Sequence, residues 1–270
     1  MIDEDGYQVI DVRGVPISFK DRGTGPAVVF IHGFTGNTNN WDPAVPLLAP
    51  HFRLVTIDCR GHGRSGKPKT ADSYGLEMVG DVLAVIQSLQ IKKAHLVGYS
   101  MGAEIALRFA VSYPELVSGL VVGGSGWSGA PETSSYEMLG TSLKKHGGFG
   151  PILPALTPEG TPLPSDEEVA QVDSLLEGQD LEALSLVAAG MGEIINLTEV
   201  EVMSISVPTL AISGEFEPER ANLEKMLGVL PGIKLSILMG RNHLTALEDP
   251  GMWKSMQEFL VAKSLGGLRK

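Results

Sequence analysis

The chain has 270 residues, 43% of them hydrophobic and 20% charged, which is a composition typical of a globular protein with a substantial core. Its formal net charge is −11, and a field of that sign repels nucleic-acid phosphates and anionic membrane surfaces. These numbers argue against a nucleic-acid-binding or membrane-surface protein. The single cysteine, Cys59, excludes an intrachain disulfide and a cysteine-based zinc site.

The beginning of the sequence gives an expectation for the location of the protein. Residues 1–5 are acidic and contain no apolar signal stretch, and no apolar run is long enough to span a bilayer. We therefore expect a cytoplasmic protein without a membrane partner. We expect no metal or other cofactor, and either a monomer or a homodimer.

Short apolar runs alternate with helical patterns along most of the chain. Eight strands are predicted at Tyr7–Arg13, Val15–Asp21, Ala27–Ile31, Arg53–Ile57, Ala94–Tyr99, Val117–Val122, Thr209–Ser213 and Lys234–Met239. Between and after them, helices are predicted at Trp41–Ala49, Glu77–Gln90, Met101–Tyr113, Glu219–Leu230 and Pro250–Leu265. This alternation predicts an α/β fold, a mostly parallel eight-stranded sheet with helices on both faces.

The alternation is interrupted between residues 123 and 200. This segment is first rich in Gly, Pro and Ser and then contains amphipathic helical patterns at Glu167–Glu177 and Leu181–Ile195. It predicts a helical cap over residues 127–200, inserted into a core formed by residues 1–126 and 201–270. The side chains expected on the inner face of this cap are Met138, Leu139, Phe149 and Leu153.

The strongest local motif is Gly98-Tyr99-Ser100-Met101-Gly102, which follows an apolar strand and precedes a helix. A nucleophile elbow needs this strand–turn–helix context, and the positive N-terminus of the helix favours an anion beside the serine. Ser100 is therefore the candidate nucleophile. A chance serine in an ordinary strand-to-helix turn is the alternative.

A serine nucleophile of this kind is followed along the chain by an acid and then by a histidine. Of six histidines, His243 alone follows the last predicted strand, in a loop that precedes the final helix. The acid is expected after Thr209–Ser213, where the loop offers only glutamates. Glu217 is the candidate that orients the histidine, Glu215 is the alternative, and Glu219 is expected to begin the next helix.

The segment His32-Gly33-Phe34 follows the predicted strand Ala27–Ile31. Gly33 permits a tight turn, so the backbone N–H groups of Phe34 and Met101 are the candidate oxyanion hole. Phe34 and Trp127 are candidates for lining an apolar substrate pocket, although core packing would explain either ring equally well. His32 is expected to bond to nearby backbone.

Five segments in this order resemble the α/β-hydrolase superfamily, in its branch of capped esterases, haloperoxidase-like enzymes and carbon–carbon bond hydrolases. They are His32–Phe34, Arg60–Ser65, Gly98–Gly102, Gly214–Glu217 and Gly240–His243. The resemblance implies the α/β-hydrolase fold with a small helical cap. This sequence departs from the family pattern at Glu217, where an aspartate is usual. Related haloalkane dehalogenases and epoxide hydrolases have an aspartate at the elbow, so Ser100 argues against both chemistries.

The resemblance implies a carboxylesterase-type serine hydrolase that acts on a small-molecule ester. Small to medium carboxylic esters would be cleaved through a Ser-His-Glu triad and an acyl-enzyme intermediate. One alternative is a hydrolase of β-diketone-type carbon–carbon bonds, or a perhydrolase, with the same triad. Another is a weakly catalytic ligand-binding member of the superfamily.

Overall fold

In a computed structural model of the chain, which describes residues 2–129, 135–157 and 163–266, eight strands form one sheet. The strands are β1 (Tyr7–Val12), β2 (Val15–Arg22), β3 (Ala27–Ile31), β4 (Arg53–Ile57), β5 (Ala94–Tyr99), β6 (Val117–Gly123), β7 (Thr209–Phe216) and β8 (Lys234–Asn242). Their order in the sheet is β1-β2-β4-β3-β5-β6-β7-β8. The strand β2 is antiparallel to β1 and β4, and the remaining pairs are parallel. The predicted mostly parallel eight-stranded sheet is confirmed.

The strand order places the carboxyl ends of the central strands at one edge of the sheet. From β3, the chain passes to β4 on one side and then to β5 on the other. Open parallel sheets bind ligands in the crevice beside such a reversal. The segments that follow β3, β5, β7 and β8 meet at this edge, which is where the predicted site residues lie.

The helices are α1 (Val45–Leu48), α2 (Leu76–Ser88), α3 (Met101–Ser112), α4 (Ser135–His146), α5 (Leu153–Leu156), α6 (Asp166–Asp173), α7 (Leu181–Ile195), α8 (Glu199–Met203), α9 (Arg220–Val229) and α10 (Pro250–Gly266). Helices α4 to α8 lie between β6 and β7. Helices α4 to α7 fall within the predicted cap, residues 127–200, whereas α8 begins at its end and runs to Met203. The helix predicted at Trp41–Ala49 is instead two elements. A 3₁₀ helix, Thr38–Ala44, begins at the capping side chain of Asn37 and is followed by α1.

The sheet is buried on both faces, as strand β3 illustrates. Val29 and Ile31 pack into one apolar cluster with α2, α3 and α9, whereas Val28 and Phe30 pack into another with α1 and α10. Side chains alternate between the two faces of a strand, so a continuous apolar run is what a sheet covered on both sides requires.

The helices between β6 and β7 also join the core directly. Val187, Met191 and Ile194 of α7 are fully buried in the same cluster as α2 and α3. A third apolar cluster lies among the helices between β6 and β7, called the insertion below, and contains Leu139, Leu143, Phe149, Ile152, Leu176, Leu184 and Ala188. Met138 is 40% exposed, whereas Leu139, its neighbour on α4, is buried. Neighbouring residues of a helix point in different directions.

Strands β7 and β8 continue beyond their predicted ends at Ser213 and Met239. Phe216 pairs with Asn242 after a register shift that begins at Gly214. A Cβ atom at Gly214 would lie only 2.5 Å from the carbonyl oxygen of Arg241, so glycine permits this close pairing. The extension places Glu215 inside β7 and Glu217 immediately after it.

The loop after β4 is held by buried charges. Arg60 and Asp81 form an ion pair 2.5 Å long in which each side chain is only 2% exposed. The carboxylate of Asp58 accepts hydrogen bonds from the backbone N–H groups of Thr38 and Arg64. Cys59 is buried, and burial raises the pKa of its thiol well above the usual range.

Within the described ranges, no helix is both long enough and apolar enough to cross a lipid bilayer. In the same part of the chain, no group of three or more histidine, cysteine, aspartate or glutamate side chains is arranged to hold a metal ion.

Candidate active site

Ser100 lies at a sharp turn between β5 and α3, and its backbone is strained. Its φ of 53° and ψ of −123° lie in a region that residues with side chains rarely adopt. The turn is possible because its flanking glycines lack side chains. A Cβ atom at Gly98 would collide with the carbonyl oxygen of Gly102, and one at Gly102 with that of Ile31. The backbone N–H of Ser100 donates to the Gly123 carbonyl over 2.7 Å.

The turn after β3 lies beside Ser100. A Cβ atom placed on Gly33 would be 3.2 Å from the Cβ atom of Ser100, so the next residue, Phe34, begins a loop next to the candidate nucleophile. Met101 is the first residue of α3, whose N-terminal N–H groups have no partner within the helix. His32 contacts the Gly33 carbonyl and accepts from the Cys59 N–H over 3.0 Å, as the sequence predicts.

Glu217 and His243, 26 residues apart in the chain, are in hydrogen-bond contact. Oε1 of Glu217 lies 2.7 Å from Nδ1 of His243. A carboxylate can only accept, so Nδ1 is the donor, and in the neutral ring Nε2 carries no proton. Among the described residues, no hydrogen bond joins the Ser100 hydroxyl to His243. Such bonds are often long before substrate binds.

The alternative acid, Glu215, has a different partner. Its Oε2 accepts a hydrogen bond of 2.9 Å from the backbone N–H of Gly240, which lies on the neighbouring strand β8. The Glu217 side chain is fully buried, whereas that of His243 is 31% exposed. The second oxygen of Glu217, Oε2, is buried and has no hydrogen-bond partner within the described ranges.

The charge around His243 is negative. Burial lowers the pKa of His243, but the carboxylates of Glu217, Glu219 and Glu104 outweigh burial and hold this pKa above its ordinary value of 6.5. The protonated imidazole that a base catalyst forms is therefore stabilised in this position. The neutral form of His243, which can accept a proton, predominates only at a higher pH than for an ordinary histidine.

Two further features hold the His243 loop, and neither was predicted from the sequence. The hydroxyl of Tyr99 donates to the carbonyl oxygen of His243 over 2.6 Å. The side-chain oxygen of Asn242 accepts the N–H groups of Leu244 and Thr245, which closes a tight turn around the histidine. The signal for the turn was an asparagine directly before His243.

The insertion contacts the site at the Phe34 loop. The ring of Phe149 meets that of Phe34 edge to face, with centroids 6.5 Å apart. The side-chain N–H of Gln179 donates over 2.9 Å to the carbonyl oxygen of Thr35, which has a left-handed φ of 64°. Trp127 is buried, and its Nε1–H donates to the Leu197 carbonyl over 2.8 Å.

Glu104, four residues after Ser100 on α3, also contacts the insertion. It accepts hydrogen bonds from the hydroxyls of Ser125, at 2.9 Å, and Tyr136, at 2.7 Å. Burial raises the pKa of Glu104 to about 7, although these two hydrogen bonds lower it. A glutamate within a helix gives no sequence signal for such a position, because helical glutamates are normally solvated.

The strand order of the sheet, with the candidate site at the carboxyl ends of its parallel strands, is that of the α/β-hydrolase fold. A family model described as alpha/beta hydrolase fold matches residues 26–150. The chain has the α/β-hydrolase fold, and its similarity to this family supports hydrolase activity.

Proteins similar to the chain have several different activities. A putative 2-succinyl-6-hydroxy-2,4-cyclohexadiene-1-carboxylate synthase of Bacillus subtilis (strain 168) is 29% identical over 92% of this chain and 96% of that protein. A 2-(acetamidomethylene)succinate hydrolase of Mesorhizobium japonicum is 33% identical, but over only 42% of this chain and 40% of that protein. The structure of a thermophilic esterase from Thermogutta terrifontis has a TM-score of 0.79 at 23% identity, over 96% of this chain and 99% of that one.

Proposed function

We propose that the chain is a serine hydrolase that cleaves small to medium carboxylic esters through an acyl-enzyme on Ser100. The observation that carries the proposal is the contact between Glu217 and His243, at the same sheet edge as the strained turn at Ser100. The esterase with a similar structure supports the fold on which this chemistry depends. The reaction itself is inferred from the chemistry of these three side chains.

In the first half of the reaction, Nε2 of His243 takes the hydroxyl proton of Ser100 as the oxygen attacks the ester carbonyl. The negative oxygen of the tetrahedral intermediate is stabilised by hydrogen bonds from the backbone N–H groups of Phe34 and Met101. Glu217 holds the tautomer in which Nε2 can accept and stabilises the imidazolium that forms. His243 then gives the proton to the leaving alcohol, and the acyl group stays on Ser100.

In the second half, water replaces the alcohol. His243 takes a proton from water, the resulting hydroxide attacks the acyl carbon, and the proton returns to the Ser100 oxygen as the carboxylic acid leaves. Atoms balance as ester plus water giving acid plus alcohol. We propose that Phe34 and Trp127 border the apolar part of the pocket, beneath the insertion.

A panel of p-nitrophenyl acetate, butyrate and octanoate, with heptane-3,5-dione as a carbon–carbon control, tests the proposal. We expect turnover of the shorter esters, little cleavage of the diketone, and a loss of about 10⁴-fold or more in kcat for Ser100→Ala. Retained ester turnover in this variant would overturn the nucleophile. Faster cleavage of the diketone would favour the carbon–carbon hydrolase, and saturable ester binding without turnover would favour a binding protein.

A further inference from the structure

Glu104 is a titratable group beside the proposed triad that the mechanism above does not use. It lies one helical turn after Ser100, and its carboxylate joins three elements of the fold. It belongs to α3, it accepts from Ser125 after β6, and it accepts from Tyr136 of α4 in the insertion. A carboxylate in this place lies between the nucleophile helix and the helices that cover it.

The charges that act on His243 in the described part of the chain are carboxylates. Glu104, Glu217 and Glu219 all raise the pKa of His243. The basic residue nearest along the helix, Arg108, lies 3.8 Å from the carboxylate of Glu201 and is not among the groups that shift the pKa of Glu104 or of His243. A substrate that approaches Ser100 therefore meets a negative potential.

We infer that Glu104 determines the substrate charge that the site accepts, so that neutral or cationic esters are cleaved and esters carrying their own carboxylate are rejected. The inference rests on the proposed ester hydrolysis. A carboxylate on the substrate would lose water of solvation and meet Glu104 in a partly dry site, where repulsion between like charges is much stronger than in water. A neutral acyl chain avoids both costs and packs against the apolar cluster of the insertion.

The rejection is expected to depend on pH. Because burial raises the pKa of Glu104 to about 7, its negative charge forms mainly between pH 6 and pH 8.5. The groups that face it are the hydroxyls of Tyr136 and Ser125, the carboxylate of Glu219 and the imidazole of His243. His243 loses its positive charge as pH rises, which acts in the same direction. Rejection of an anionic ester should therefore strengthen with pH.

The test compares p-nitrophenyl hexanoate with the p-nitrophenyl monoester of glutarate, which share a leaving group and differ in charge. Spontaneous hydrolysis is subtracted with Ser100→Ala. In the wild type, kcat/KM for the glutarate ester should be ~10-fold or more below that for the hexanoate at pH 8.5. The gap should narrow at pH 6, where the repulsion by Glu104 is lost and only the desolvation of the substrate carboxylate remains. Glu104→Gln, which retains hydrogen-bonding groups for Tyr136 and Ser125, should narrow the gap at pH 8.5 to about the value that the wild type shows at pH 6.

Glu215→Gln is the matched control, because Glu215 bonds to Gly240 and is not among the groups that shift the pKa of His243. It should leave the ratio of the two substrates unchanged. Equal kcat/KM values for both esters in the wild type, or an unchanged ratio in Glu104→Gln, would overturn the inference alone. Absence of turnover of both esters above the Ser100→Ala background would overturn the proposed function, and this inference with it.

Discussion

The sheet edge and the helical insertion hold the candidate site in different ways. At the edge, backbone geometry dominates: parallel strands end together, and the turn at Ser100 depends on glycines that no side chain could replace. The insertion reaches the same place through side chains, namely Gln179 to the Thr35 carbonyl and Tyr136 to Glu104. We therefore expect the edge to determine the chemistry and the insertion to affect positioning and substrate selection.

The largest effect that separates these roles is expected at the edge. Glu217→Gln keeps the size of the side chain but removes the charge that stabilises the His243 imidazolium and favours the active tautomer. We expect kcat for p-nitrophenyl butyrate to fall by about 10³- to 10⁴-fold, with a much smaller change in KM. Steady-state kinetics of the purified variant measure this loss.

Glu215→Gln is the control for that substitution, since it changes the neighbouring carboxylate on β7. It should reduce kcat by less than about threefold, in line with the small cost of a surface hydrogen bond. If Glu215→Gln caused the severe loss and Glu217→Gln did not, the acid would have to be reassigned to Glu215.

A smaller effect is expected from the insertion. Gln179→Ala removes the hydrogen bond to Thr35, the residue after Phe34, and frees the loop that carries a proposed oxyanion donor. We expect kcat for the neutral ester to fall about threefold to tenfold, the range of one neutral hydrogen bond. Gln171→Ala, at an exposed position on α6, is the matched control and should leave kcat unchanged. Equal kinetics for the two variants would show that the insertion does not position this loop.

The same two regions differ in how far the sequence predicts them. The elbow could be predicted because its residues are adjacent and their spacing is imposed by local backbone sterics. His243 could be predicted from its place after the last strand. The sequence favours Glu217 over Glu215 as the partner of His243 but does not decide between them. The choice depends on the extra pairing of β7 with β8 through Phe216 and Asn242.

The insertion was predicted less well, because its structure depends on long-range packing. Helix α4 lies in a segment rich in Gly and Ser, and its amphipathic pattern was not recognised. Neither Glu104 nor Gln179 carries a local signal, since their roles exist only after the chain has folded.

The most direct test of the central claim is covalent labelling by a neutral alkyl fluorophosphonate, followed by tryptic mass spectrometry. Ser100 falls in the tryptic peptide Ala94–Arg108. We predict one adduct per chain, located on Ser100 in this peptide, with much slower labelling in Glu217→Gln. An adduct on a different serine, or equal labelling of the Ser100→Ala variant, would contradict it.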